Sequence, residues 1–178
     1  MIIEELKGLE EESKVRGVPI IGPEKGKYLL DLVQSVKPQL VLELGTANGY
    51  SGCILASQGA KLVTIEMDKR IVEEANRNFS SRKLNTEILV GDASEIVKHL
   101  LLDNVGVFDL VFVDFAKKKY VEVLEDCMKL VKVGGFIVAD NISMEKCKDY
   151  KKKVLADKRL ETQIIDIGDG LACSKKLK

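Results

Sequence analysis

Five short apolar runs punctuate the chain: LVLEL (40–44), KLVTIE (61–66), TEILVG (86–91), DLVFVD (109–114) and FIVAD (136–140). Runs of this length and continuity are expected of parallel strands buried on both faces. Between them the spacing predicts helices over about 50–58, 68–82, 93–102 and 117–131, each preceded by a polar residue or a glycine suited to capping. Strand and helix alternate, which predicts an open, doubly wound α/β sheet of Rossmann-like, mostly parallel type. The rhythm breaks near the end, where TQIIDIGDGLACSKK has two extended runs around Gly168-Asp169-Gly170. That predicts a β-hairpin over 161–176, with an antiparallel strand closing the sheet. The opening MIIEELKGLEEESKVRG reads as a short helical cap over 1–20.

Composition adds boundaries rather than a function. With 178 residues, 46% of them hydrophobic, one domain over 1–178 with a sizeable core is expected. Lysine and arginine total 28, as do aspartate and glutamate, so no global field draws the protein to nucleic acid or to an anionic membrane. The four cysteines, Cys53, Cys127, Cys147 and Cys173, form no C-x-x-C pair, which argues against a zinc site or a redox motif. No apolar stretch approaches the roughly 18 residues of a membrane span, and a cytoplasmic protein with reduced thiols is expected. The lysine-rich MEKCKDYKKK at 144–153 reads as a solvated helix face.

In open α/β sheets ligands bind beyond the carboxyl ends of the strands. Those ends carry Glu43 with Gly45, Glu66, Gly91-Asp92, Asp114 and Asp140-Asn141. The first turn, Gly45 to Gly49, has neither G-x-G-x-x-G nor the G-K-[ST] of a P-loop. A pyrophosphate there would face the Glu43 carboxylate, an unfavourable like-charge contact. S-adenosylmethionine suits the turn better, because it has an ammonium and a sulfonium and no phosphate. Glu66 is placed to accept hydrogen bonds from ribose hydroxyls, a feature shared with nicotinamide enzymes. Asp92 and Ala93 either edge an adenine or, for Asp92, simply cap the following helix.

Asp114, Asp140 and Asn141 come from the ends of strands expected to be neighbours, and three hard oxygen side chains suit Mg²⁺ or a similar divalent cation. Lys117, three residues after Asp114, is either a general base toward a substrate hydroxyl or part of a solvated first turn with Lys118 and Lys119. His99 is the only histidine and is expected on a helix surface, which leaves a Ser-His-Asp triad without support.

Taken together, G-P-E-K-G (22–26), V-L-E-L-G-T-A-N-G-Y-S (41–51), T-I-E-M-D (64–68), G-D-A (91–93), F-V-D-F-A-K-K-K-Y (112–120), A-D-N (139–141) and G-D-G-L (168–171) resemble the S-adenosylmethionine-dependent, metal-dependent O-methyltransferases of the catechol and caffeoyl-CoA type. The resemblance covers about residues 18 to 175. It implies that Glu43, Gly45, Tyr50 and Ser51 contact the methionine end of the cofactor, with Ile21 and Gly26 beside it and Asp114 adjoining. Glu66 would hold the ribose, and Asp92 and Ala93 the adenine. Asp114, Asp140 and Asn141 match the family's metal ligands, and Lys117 its catalytic lysine.

The departures fall on the substrate side. About 20 residues precede the motif region, only 26 separate Asn141 from Gly168, and no tryptophan is available to stack on a ring. Counting back from Asp169-Gly170, Gln163 stands where animal catechol enzymes have a glutamate. The acceptor implied is a small hydroxylated molecule with vicinal oxygens. Relatives that modify hydroxylated uridine make transfer RNA an alternative acceptor, with the lysines of 146–153 as its contacts. A non-catalytic S-adenosylmethionine-binding domain is a third reading, and a homodimer is the assembly the resemblance implies.

Overall fold

Alternation of strand and helix becomes a seven-stranded sheet in the computed structural model, which describes residues 1–178. Helices α1 (Ile2–Glu5), α2 (Lys7–Arg16) and α3 (Gly22–Val36) precede β1 (Leu40–Leu44). There follow α4 (Tyr50–Ala56), β2 (Lys61–Glu66), α5 (Lys69–Ser81), β3 (Thr86–Val90), α6 (Ala93–Leu100) and β4 (Phe108–Val113). The chain ends with α7 (Tyr120–Leu130), β5 (Val131–Asp140), α8 (Lys148–Ala156), β6 (Leu160–Ile165) and β7 (Leu171–Lys176). The sheet order is β3-β2-β1-β4-β5-β7-β6, so strand order reverses between β1 and β4, where doubly wound sheets place their crevice. No helix is long and apolar enough to cross a membrane.

Period-two alternation sorts the strand residues onto two cores. Leu42, Leu44, Val63, Ile65, Val111, Val113, Ile137 and Ala139 pack with α6, α7 and α8 on one face. Val41, Leu62, Leu110, Phe112 and Val138 pack with α2 to α5 on the other. Glu43 and Thr64 share that second face, because they alternate with Leu42 and Val63 and sit opposite each other in the β1–β2 register. Both are fully buried.

The central strands are buried as the apolar runs predict, but β3 and β6 are not: each lies at a sheet edge and alternates between buried or half-buried and exposed positions. The hairpin forms with a further difference. Antiparallel β7 is inserted between β5 and β6, so β6 and not β7 is the edge strand. The expected helix at 117–131 begins as a 3-10 turn, Lys117–Lys119, and yields to β5 at Val131.

Parallel register brings the working ends level. Leu44 pairs with Ile65 and Val113, and Val113 with Ala139, so Gly45, Asp114 and Asp140 emerge side by side at a strand spacing of about 4.8 Å. The glycine turn is supported from below by Phe79 of α5. A Cβ at Gly49 would lie 2.9 Å from this ring, and one at Gly52 2.8 Å. Phe79→Ala removes that floor, and urea unfolding should show a loss of about 3–5 kcal/mol; a loss below about 1 kcal/mol would mean that the ring is not a packing support.

Candidate active site

A cavity of about 410 Å³ opens over the ends of β1, β2, β3 and β4, within the usual size range for small-molecule sites of about 300–1,000 Å³. Residues 45–48 with Tyr50 and Ser51 form one wall, and Ile65, Glu66 and Met67 the next. Gly91, Asp92 and Ala93 close the far end, residues 114–117 and Lys119 the near side, and Pro19, Ile20 and Ile21 the roof. The first wall is tied to α2: Asn48 Nδ2 donates to Ser13 Oγ at 2.7 Å, and the Tyr50 hydroxyl donates to Glu10 at 3.5 Å. Sequence reasoning describes the cap but misses Pro19 and Ile20, which carry no motif.

Three amides of the first turn are taken up inside the fold. Gly45 N–H donates to the Ile65 carbonyl at 3.0 Å, Ala47 N–H to Glu66 Oε2 at 3.0 Å, and Gly49 N–H to the Thr46 carbonyl at 2.9 Å. These donors are committed within the fold, whereas anion-cradling loops leave theirs pointing at the ligand. Gly45, Ala47 and Gly49 all have positive φ, so the turn alternates in handedness and curls back on itself.

Glu43 is not on the cavity wall, contrary to the expectation that its carboxylate faces the ligand. It is 0% exposed. Its oxygens accept hydrogen bonds from Ser51 Oγ at 2.5 Å and Thr64 Oγ1 at 2.6 Å, and Thr64 pairs in turn with Thr46 at 2.6 Å. Burial pushes its pKa from the ordinary 4.5 to about 8, against the two hydroxyl bonds and with added repulsion from Asp114 and Glu66. At neutral pH the group is mainly a neutral acid, so it sets no like-charge barrier to a phosphate. Gly26 also stands one layer back, its Cα hydrogen directed at Ile54 and the Tyr50 hydroxyl.

Glu66 does reach the cavity. Its Oε1 accepts from the Met67 and Asp68 amides at 2.8 and 3.0 Å, which fixes the carboxylate in one orientation. Asp92 is a helix cap that also reaches the cavity. It caps α6 through the Ser94 amide at 2.9 Å. Lys119 bonds it at 2.6 Å, and that ammonium, with Ser94, holds its carboxyl down at about 2.

A second cluster adjoins the first at Asp114. Lys117 Nζ is ion-paired with Asp114 Oδ1 and lies 5.5 Å over the Tyr120 ring, so the lysine faces the site and is not a solvated first-turn residue. Asp140 is buried, and its pKa is raised to about 6 by burial and by the neighbouring Asp114 charge. Asn141 follows with φ 57 and donates its backbone N–H to Asp140 Oδ1 at 2.6 Å. Two residues that sequence reasoning assigns no role join here. Lys25 is ion-paired with both Asp140 and Asp169, and Asn141 Nδ2 bonds Asp169. Their only sequence signal is that both lie in quoted motifs, G-P-E-K-G and G-D-G-L.

The remaining expectations resolve simply. Gln163 is exposed on β6 opposite Cys173 and belongs to neither cluster. His99 is exposed in the last turn of α6. Lys146, Lys148, Lys152 and Lys153 are exposed on and beside α8, while Cys147, Tyr150 and Val154 face inward. All four cysteines are buried and unpaired.

A family model described as O-methyltransferase matches residues 1–177. A catechol O-methyltransferase of Niastella koreensis is 33% identical over 133 residues, which take in 71% of this chain and 60% of the relative. The chain therefore spans about three fifths of that relative's length. A caffeoyl-CoA O-methyltransferase of Stellaria longipes is 26% identical, with 98% of this chain and 84% of the relative covered. The solved O-methyltransferase of Bacillus cereus, in complex with SAH, superposes with a TM-score of 0.85 at 23% identity, over 99% of this chain and 90% of that one. At that identity the likeness bears on the fold.

The buried Glu43 makes stability depend on pH with a definite sign. Because its folded pKa lies above its unfolded value, its contribution is fully present below about pH 4.5 and declines as pH rises toward about 8, by up to about 1.4 kcal/mol per pH unit. Glu43→Gln keeps the shape and cannot ionise. Denaturation at pH 5 to 9 should show the variant gaining on the wild type as pH rises and levelling off above about 8; a constant difference across that range would contradict the buried-acid assignment.

Proposed function

Because the chain belongs to the O-methyltransferase family, we propose that it is a single-domain enzyme that moves a methyl group from S-adenosylmethionine to one hydroxyl of a small catechol-like or vicinal-diol acceptor, with a divalent cation, Mg²⁺ by donor type, at Asp114, Asp140 and Asn141. One observation carries the metal part. Lys117 takes Asp114 Oδ1, Lys25 and the Asn141 amide take Asp140 Oδ1, and Asp169 takes Asn141 Nδ2. What remains free of protein hydrogen bonds is one oxygen on each residue: Asp114 Oδ2, Asp140 Oδ2 and Asn141 Oδ1. Two carboxylate oxygens and an amide oxygen form the hard donor set that Mg²⁺ prefers, with room for water or acceptor oxygens.

S-adenosylmethionine, when bound, supplies an electrophilic methyl on a positively charged sulfur. A divalent ion supplies Lewis acidity to an acceptor hydroxyl. The chain's residues divide the remaining work. The first turn, Tyr50 and Ser51 receive the methionine end, with Ser51 fixed from behind by Glu43 and Tyr50 backed by Gly26. Glu66 accepts from the ribose hydroxyls, Asp92 and Ala93 edge the adenine, and Ile21 closes the roof. Lys117, as the free amine, receives the acceptor's proton, and its pairing with Asp114 keeps Nζ on that side of the cavity. Pro19, Ile20 and Phe115 present apolar walls, which favour a transfer in which positive sulfur and negative oxygen lose their charges together.

The exposed lysines beside α8 support a second acceptor, hydroxylated uridine in transfer RNA, because the segment that starts them, Glu145–Cys147, packs on the Lys117–Lys119 turn. Their phosphate contacts would make binding salt-dependent. Incubation with S-adenosylmethionine and a panel of catechols, diols and transfer RNA, followed by mass spectrometry, should reveal one added methyl on a catechol-type acceptor. Chelator or Asp140→Ala should abolish transfer, and Lys117→Met should lower kcat by about 10²–10⁴ while S-adenosylhomocysteine still binds. Transfer unaffected by chelator would remove the metal from the reaction, and transfer to RNA alone would replace the acceptor.

A further inference from the structure

The three oxygens left free at the metal cluster are free because other groups occupy the opposite atoms of the same side chains. Lys25 enters from the second turn of α3, and its side chain is only 6% exposed. It sits on Asp140 Oδ1, on a side chain that is 3% exposed, and on Asp169 Oδ1 of the β6–β7 turn. Asp169 Oδ2 takes Asn141 Nδ2. An unbroken chain thus runs from Asp140 through Lys25 and Asp169 to Asn141, and each link fixes which oxygen faces inward.

The amide of Asn141 shows why this matters. Its oxygen and nitrogen are interchangeable by a flip about the last side-chain bond, and only the oxygen is a ligand. Asp169 is acceptor-only when ionised, so it selects the nitrogen and turns Oδ1 the other way. The backbone reinforces the placement, because Ile142 N–H donates to the Gly170 carbonyl at 3.1 Å and Ser143 N–H to the Asp169 carbonyl at 2.9 Å. This close approach requires Gly170, whose φ is +81 and whose added Cβ would lie 2.8 Å from Ser143 Oγ.

We propose that Lys25 and Asp169 are positioning residues for the cation site: the Asp140–Lys25–Asp169–Asn141 chain orients both ligands donated by the end of β5. The role rests on the cation reading given above. It also has an electrostatic opposite, since a lysine ammonium beside a cation site could act only as a competitor that weakens binding. The two roles differ in sign, because loss of a competitor tightens cation binding and loss of an orienting partner loosens it by about 10–100-fold.

Titration of the full-length protein with Mn²⁺, followed by electron paramagnetic resonance of the free ion, reads that sign without any turnover. Lys25→Met and Asp169→Ala should each raise the Mn²⁺ Kd by about ten-fold or more. Asp169→Asn, which keeps an oxygen for Asn141, should retain more of the affinity than Asp169→Ala. Calorimetric titration with S-adenosylhomocysteine should be unchanged in all three, since neither residue lines the cofactor cavity. Lys25→Met leaves Asp140 buried without its cation, and if that variant does not fold, Asp169→Ala decides, its side chain being 43% exposed. Mn²⁺ binding that is unchanged or tighter would overturn the positioning role alone. Absence of Mn²⁺ binding by the wild type would overturn the cation site and this role with it.

Discussion

At Gly45 the chain leaves β1 so close to the end of β4 that a Cβ would lie 2.0 Å from the Asp114 carbonyl oxygen. No side chain fits there, and the φ of +100 is a conformation that residues other than glycine rarely adopt. This contact joins the two halves of the site. On one side Gly45 opens the turn that walls the cavity; on the other, Asp114 lines the same cavity and stands beside Asp140 on the next strand. The register of β1, β4 and β5 fixes both relations at once, so a donor's methyl and an acceptor's oxygen can meet at one place without either site being built on a loop alone.

Charge is arranged in layers around that contact. Glu43, behind the wall, is held mostly neutral by burial and locks Ser51 and Thr64 in place. Glu66 and Asp92, on the wall, stay oriented by backbone amides and by Lys119. Asp114, Asp140 and Asp169, beyond it, share the two ammoniums of Lys117 and Lys25, which leaves the cluster with one negative charge in excess when all three carboxylates are ionised. Such a cluster suits a cation without requiring one to hold it together, because each buried carboxylate already has a partner.

Much of this was legible in the sequence, for physical reasons that can be named. The doubly wound sheet follows from continuous apolar runs, since strands covered on both faces have no polar positions to spare, and the acidic residues at their ends follow from where such sheets keep their crevice. Edge strands β3 and β6 escaped the rule because one side of each meets water. Glu43 is the exception: the strand end suggests a carboxylate facing the ligand, but both faces of β1 are covered by helices and Glu43 points into the second core beside Thr64 and Ser51. Lys25 and Asp169 carry no signal of their role beyond their place in G-P-E-K-G and G-D-G-L. They lie 144 positions apart, and nothing in either segment announces that a lysine from a helix pairs with an aspartate from a hairpin turn, the one reaching Asp140 and the other Asn141.

The central claim is that Asp114, Asp140 and Asn141 converge on one divalent ion next to the cofactor cavity. Anomalous X-ray scattering from a crystal grown with Mn²⁺, S-adenosylhomocysteine and a catechol tests it most directly. The account predicts a single strong peak in contact with Asp114, Asp140 and Asn141, with the catechol oxygens completing its shell and S-adenosylhomocysteine along residues 45–51 and Glu66. A crystal with both organic ligands in place and no peak at those three residues, or with the ion held elsewhere, would contradict it.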